Sequence, residues 1–417
     1  MTDRSDLSAQ ARAVLAANDR GGYTVPTHGL YPFQWNWDSA FVAMGFARFD
    51  IDRACRELER LVEGQWADGM IPQIIFHAPS DSYYPGPEVW RTPGTGLRTS
   101  GITQPPVFGM ALRVLHDHGA PRDRLEPLYD AALRWHRWWY AARDPEGTGL
   151  VALLHPWESG SDNSPAWDRP LFRVPTTTRE PIRRKDTGHV DASMRPRDED
   201  YRRFIHLVDT YADCGWDPAR QWAAAPFRVA CVQTSAILLK AGEDLAHLGR
   251  LWGRDMAELE TMNARTRAAL LARWSPAHRR FLHRDLIAGE DLAAPTQAGF
   301  IPLLAIDLPQ ALREAAVEEM RAWCQGLRVA FPTTTPTDPA FEPRRYWRGP
   351  VWPIVNWLLA LGLERNGEPD FAAFLRDSVS TALAAQGFVE YFDPLTGEGL
   401  GGQGFSWSAA AWLTFHS

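Results

Sequence analysis

Hydrophobic positions along the chain recur mostly at helical spacing, broken by two long irregular stretches rich in aromatics, proline and glycine. Over residues 51–66, Ile51, Ala54, Leu58, Leu61 and Val62 fall on one face and Arg53, Glu57, Arg60 and Glu63 on the other, which predicts an amphipathic helix. The same periodicity predicts helices near 6–19, 37–48, 51–66, 104–118, 122–143, 198–213, 229–246, 250–273, 308–325, 350–365, 369–385 and 406–416. Long strand-like alternation is scarce, so the fold class is all-α, with short hairpins confined to loops. Residues 67–103 and 155–197 are too long to be mere connectors in a compact domain and read as lids or binding loops. No linker, low-complexity tract or repeat divides the chain, so residues 1–417 are expected to form a single domain.

Composition narrows the function classes. The 417 residues are 45% hydrophobic and 23% charged, ordinary for a globular enzyme with a large core. A formal charge of −7 offers no clustered basic surface for a polyanion, so nucleic acid is not an expected partner. Cys55, Cys214, Cys231 and Cys324 are scattered, without a CxxC pair, so neither a disulfide framework nor a thiolate metal site is expected. The N-terminus is polar and no run of about 18 apolar residues occurs. A cytoplasmic protein without a membrane segment is the expectation.

Four clusters of aromatics and carboxylates lie next to helix ends. Tyr31-Pro-Phe-Gln-Trp-Asn-Trp-Asp38 leads into an apolar helix. Asp38 is well typed as an N-cap, while Tyr31, Trp35 and Trp37 so close together suit the C–H face of a sugar. His155-Pro-Trp-Glu-Ser-Gly-Ser-Asp-Asn-Ser-Pro165 sets Glu158 and Asp162 beside Trp157 and Trp167. An Asx-turn explains the Gly160-Ser-Asp-Asn segment by itself, but apolar walls also raise a carboxyl pKa toward the value a general acid needs. Arg344-Arg-Tyr-Trp-Arg-Gly-Pro-Val-Trp-Pro353 precedes a helix that its prolines favour starting, with Tyr346, Trp347 and Trp352 available to line a cavity. Phe388-Val-Glu-Tyr-Phe-Asp-Pro394 carries Glu390, with a glycine run behind it. That run lacks the GK[ST] ending of a phosphate loop and reads as a tight turn, and Asp393 as a turn residue. Carboxylates among indoles suggest sugar chemistry, because a glycosidic bond is broken by two carboxyl groups flanking it. Glu158 and Asp162 are equally plausible as one member of that pair, and Glu390 is the candidate second.

Other chemistries find no support. His116 and His118 would point apart on a helix, which disqualifies them as a zinc pair. No GxSxG, HExxH or EF-hand loop occurs. No metal or cofactor is expected.

Taken together, Gln34-Trp-Asn-Trp-Asp-Ser-Ala-Phe41, the 155–165 segment, Tyr346-Trp-Arg-Gly-Pro-Val-Trp-Pro353 and Tyr391-Phe-Asp-Pro-Leu-Thr-Gly-Glu-Gly-Leu400 resemble glycoside hydrolase family 63, in its short bacterial mannosylglycerate and glucosylglycerate hydrolase branch. The matches run in order over nearly the whole chain. The resemblance implies an (α/α)6 barrel with long loops forming a lid or cap over its mouth, and hydrolysis with inversion. Asp162 falls on the family's general acid and Glu390 on its general base, roughly 6.5–9.5 Å apart to leave room for water. Tyr31, Trp35, Trp37 and Asp38 match positions that hold the sugar, and Trp157, Gly160, Tyr346, Trp347 and Trp352 line the same pocket. Gln104 and Gln403 are further matches, the latter near the base. Arg195 and Tyr201 match the pair that grips the glycerate carboxylate, a task suited to a guanidinium. Tyr83, with Tyr84, is placed to close over the leaving group. The implied partner is a small glycoside, and family relatives often form homo-oligomers.

Rival readings are a neutral-disaccharide α-glucosidase or trehalase-like enzyme, a sugar isomerase or epimerase, and a non-catalytic sugar-binding protein. An isomerase wants a His acid/base pair, and only His155 lies in an aromatic cluster.

Overall fold

Helices that are apolar on all sides can satisfy themselves only by being surrounded, and they form the inner wall of the molecule. The computed structural model describes residues 4–94 and 96–416. Its longer helices are α1 (Arg4–Asn18), α2 (Asn36–Phe46), α3 (Ile51–Val62), α4 (Phe108–Asp117), α5 (Arg122–Arg143), α6 (Asp198–Asp213), α7 (Val232–Leu251), α8 (Ala257–Leu271), α9 (Gln310–Trp323), α10 (Pro353–Arg365), α11 (Pro369–Gln386) and α12 (Ser406–Phe415). Every residue of α2 is buried, as is nearly all of α10 and α12. Each of the twelve windows expected from the sequence holds one of these helices, so the mainly helical class stands.

A closed ring of neighbours runs α12, α2, α4, α7, the 3₁₀ turn Ile301–Leu304, α10 and back to α12. Outside it, α1 packs on α12, α3 on α2, α5 on α4, α8 on α7 and α11 on α10. The amphipathic outer helix α3 buries Ala54, Cys55, Leu58 and Leu61. The fifth wall of the ring was not foreseen. Phe300-Ile-Pro-Leu-Leu-Ala-Ile306 is uniformly apolar, so it has no period to detect, and prolines at 302 and 309 keep it from extending. Helix α9 reaches this wall through Trp323, whose ring lies 5.1 Å from that of Phe300.

Several expectations shift. The 250–273 window begins inside α7, which runs on to Leu251 before the chain turns at Gly253 into α8. Glu57, placed on the solvent face of α3, is fully buried and accepts hydrogen bonds from Thr24, Gln34, Ser39 and Arg53. Asp38 is not an N-cap: α2 begins at Asn36 after Trp35, and Asp38 sits inside its first turn.

The long loops contain more order than irregular sequence suggests. Gln34–Trp35, Ile74–Phe76 and Arg98–Thr99 form a three-stranded antiparallel sheet. A four-stranded sheet joins Ala152–Leu153, Val229–Ala230, His283–Asp285 and Glu290–Leu292 in that order. Tyr391–Phe392 pairs with Gly399–Leu400, fixing the hairpin that follows Glu390. None of the described helices is long and apolar enough to cross a membrane.

Candidate active site

One end of the ring, where α2, α10 and α12 begin, opens into a cavity. Glu390 enters it from the hairpin side and is 1% exposed. Its carboxylate accepts the Tyr31 hydroxyl at 3.1 Å and the Gly402 N–H at 2.9 Å, while the Glu390 N–H returns to the Gly402 carbonyl at 2.9 Å. This close approach explains part of the glycine run. Gly401 has φ +73°, and a Cβ there would lie 2.3 Å from the Glu390 carboxylate. Burial raises the Glu390 pKa above its usual value, against the opposing pull of Arg195 and the two hydrogen bonds.

Asp162 faces the same cavity from the 155–165 segment. Among the described residues no other residue donates a hydrogen bond to its carboxyl. Burial pushes its pKa up to about 7, with Glu390 adding to the rise and Arg195 opposing it. The turn carrying it is tied on every side. Ser161 N–H donates to Ser159 Oγ at 2.8 Å, Gln233 Nε2 to the Ser159 carbonyl at 2.9 Å, and the Trp167 indole to the Ser161 carbonyl at 2.8 Å. Asn163 Oδ1 accepts the Trp347 N–H at 2.9 Å, which joins the turn to the aromatic wall. Gly160, at φ +70°, lets the turn rest on Trp37, whose ring would sit 2.6 Å from a Cβ.

Glu158 is elsewhere. It is fully buried against Arg143, with Nη2 to Oε1 at 2.7 Å, and its other oxygen accepts the Leu154 N–H at 2.8 Å. It does not line the cavity. The two carboxylates that residue types alone left equal, and of which the resemblance favoured Asp162, differ in access: one braces the segment, the other meets the cavity.

The walls are aromatic. Tyr31, Trp35, Trp37, Tyr83, Trp157, Tyr346 and Trp347 line the cavity together with Asp38, Gln104, Gly160, Arg195 and Tyr201. Tyr346 adopts φ +45°, a left-handed conformation that costs a bulky residue about 1–3 kcal/mol and recurs at functional sites. Asp38 is held well above the usual carboxylate range by burial, with Glu390 and Asp162 adding to it. Gln104 accepts the Trp37 N–H at 3.3 Å. Arg195 donates to the Tyr31 hydroxyl at 2.7 Å, and Tyr201 donates to the Tyr84 carbonyl at 2.7 Å.

Two expected residues stand outside the lining. Trp352 lies behind it, stacked on Trp347 with ring centroids 3.8 Å apart. Gln403 is exposed, and its backbone carbonyl accepts the Thr27 hydroxyl. Conversely, Gln73, Asp186, Phe405 and Trp407 line the cavity and were not foreseen. Gln73 and Asp186 are single polar residues inside long loops, without a flanking pattern to mark them. Phe405 and Trp407 carry a usable signal, aromatics at the start of an apolar helix just after the glycine run. No group of three or more His, Cys, Asp or Glu among the described residues could hold a metal ion.

Two carboxyls facing an aromatic cavity, one pushed up to about 7 and the other held by two hydrogen-bond donors, are the equipment for acid/base cleavage of a glycosidic bond. The chain belongs to the glycoside hydrolases of the MGH1-like type, since the family "Mannosylglycerate hydrolase MGH1-like glycoside hydrolase domain" matches residues 31–408. It is 46% identical to the mannosylglycerate hydrolase of Thermus thermophilus over 407 residues, covering 96% of this chain and 98% of that protein. It is 36% identical to the glucosylglycerate hydrolase of Mycolicibacterium hassiacum over 434 residues, covering 98% and 97%. A crystal structure of a family 63 mannosylglycerate hydrolase from Thermus thermophilus in complex with Tris and D-glycerate matches with a TM-score of 0.95 at 45% identity, over 99% of this chain and 100% of that one.

Proposed function

We propose that the protein is an inverting α-glycosidase that hydrolyses 2-O-α-glycosyl glycerate, as mannosylglycerate or glucosylglycerate, to free sugar and glycerate. The observation that carries this reading is the environment of Asp162, a carboxyl pushed up to about 7 in the same cavity as a Glu390 that two donors favour as an anion. Asp162 is the general acid: it protonates the glycosidic oxygen as the bond from that oxygen to the anomeric carbon breaks. Glu390 is the general base, taking a proton from the water that attacks the anomeric carbon from the opposite face. Trp35, Trp37, Asp38 and Trp347 hold the sugar, with Tyr31 keeping Glu390 in place. Arg195, with Tyr201, Tyr83 and Gln104, receives the glycerate. Relatives named for both glycosyl glycerates, and a related structure holding D-glycerate, support this substrate class.

The ring and its outer helices correspond in this reading to an (α/α)6 barrel, with loops 67–103 and 155–197 forming a lid over its mouth. Incubation with glucosylglycerate, mannosylglycerate and glucosylglycerol, followed by NMR of the anomer first released, tests the proposal. The expected result is β-sugar from the two glycerates at rates well above that from glucosylglycerol. First release of the α-anomer, or preference for the neutral glycoside, overturns it.

A further inference from the structure

A guanidinium that is to receive a carboxylate must be aimed, and the site must stay cationic after neighbouring charges are counted. Arg195 is committed at two of its three nitrogens: Nε donates to Asp186 Oδ2 at 3.0 Å and Nη1 to the Tyr31 hydroxyl at 2.7 Å. Its guanidinium also lies 4.2 Å from the centroid of Tyr346. Nη2 has no hydrogen-bond partner among the described residues, and the side chain lines the cavity. Asp186 therefore sets the direction in which the remaining donor points. It also brings a negative charge to the place where an anionic substrate would arrive.

That charge is offset from behind. Arg184 does not line the cavity, yet it grips Asp186 with two nitrogens, Nη2 to Oδ2 at 2.7 Å and Nε to Oδ1 at 3.1 Å. It is held in place by the Pro196 carbonyl, at 2.8 Å from Nη1, and by the ring of Tyr201, whose centroid is 4.6 Å from its guanidinium. Asp198 also meets Arg184, but its side chain is 80% exposed and its field is screened by water. Arg184, Asp186 and Arg195, all nearly buried, thus sum to one positive charge, whereas Asp186 with Arg195 alone would sum to none, and Glu390, whose field also reaches Arg195, enters both sums equally. Burial opposes ionisation of Asp186, but the two guanidinium groups overcome it and hold its pKa down to about 2.

We propose that Arg184 and Asp186 determine specificity for an anionic leaving group, Asp186 by aiming Arg195 and Arg184 by supplying the charge that keeps the cluster cationic. The inference rests on the glycosyl glycerate reading above. Both residues act through Arg195 and are positioning residues.

The test compares kcat/KM for glucosylglycerate and for glucosylglycerol in wild type, Arg184→Gln, Arg184→Lys and Asp186→Asn. Arg184→Gln is expected to cut the preference for the anionic glycoside by about tenfold through KM, the order expected for one unit charge nearby in a partly desolvated site, with the neutral glycoside changed less than about twofold. Arg184→Lys restores most of the preference. Asp186→Asn keeps an acceptor for Nε while removing the negative charge, and is expected to raise the preference. Opposite signs for these two variants are a result that a merely structural role would not produce. Equal effects on both glycosides, or shifts of the same sign, overturn the inference while leaving the glycosyl glycerate reading intact. A wild-type enzyme without preference for the anionic glycoside overturns both.

Discussion

The two sides of the cavity treat a carboxyl in opposite ways. On the hairpin side, Glu390 is held by the Tyr31 hydroxyl and the Gly402 N–H, with the Arg195 charge nearby. On the 155–165 side, no other described residue donates to the Asp162 carboxyl, although the turn beneath it is pinned by side chains from several elements. Donors favour an anion and their absence favours a neutral acid. In the proposed mechanism, acid and base differ in where the hydrogen bonds go: to the carboxylate on one side, and to the backbone around the carboxyl on the other.

Removing either group breaks the comparison most directly. Asp162→Asn and Glu390→Gln are each expected to lower kcat by about 10²–10⁴-fold while substrate still binds. A glycosyl fluoride, whose leaving group needs no proton, should restore activity to Asp162→Asn and not to Glu390→Gln. Equal rescue of both would erase the assigned roles.

The bracing of the acid side is tested by Glu158→Ala. Leaving Arg143 charged and unpaired in the interior is expected to cost about 3–5 kcal/mol of stability by denaturant unfolding. A loss below about 1 kcal/mol would mean that the pair does not hold the turn.

Tyr31→Phe sharpens the contrast by taking a donor from the base. A hydrogen bond to a charged group contributes about 1.5–3 kcal/mol, so kcat/KM should fall about tenfold or more. Wild-type activity should fall above pH about 7 as Asp162 loses its proton, and fall at lower pH as Glu390 gains one. The Tyr31 donor favours ionised Glu390, so its removal raises that pKa further and moves the acidic limb upward, leaving the alkaline limb in place. Movement of the alkaline limb instead would reassign the pair.

The smallest effect is expected at Gln403→Ala. The side chain is exposed and outside the cavity lining, so kcat/KM should change less than about twofold and stability by less than about 0.5 kcal/mol. A larger effect on kcat/KM alone would place this side chain at the base after all.

Much of the framework was legible because amphipathic periodicity reports directly on one-sided burial, as α3 illustrates. It fails where burial has no side. The Ile301–Leu304 wall is apolar throughout, and Glu57 is buried through polar partners that its own helix does not supply. The aromatic wall was legible for the same local reason: Tyr31 to Trp37 and Tyr346 to Trp347 are neighbours in sequence as well as in space. Gln73 and Asp186 were not, since each gains its role from groups contributed by other segments.

By itself, the sequence determined the residue types that bring sugar chemistry within reach, carboxylates set among indoles, and the helices that present them. Residue types alone left Glu158 and Asp162 indistinguishable, because both stand in one short segment beside the same tryptophans, and only the family resemblance favoured Asp162. The tertiary structure supplies the physical difference between them. Arg143 from α5 neutralises Glu158 in the interior, while the cavity opens on Asp162 opposite a hairpin from near the end of the chain. A carboxyl's proton affinity depends on solvent access and on charges within a few ångströms, and those neighbours are assembled by folding rather than by adjacency along the chain.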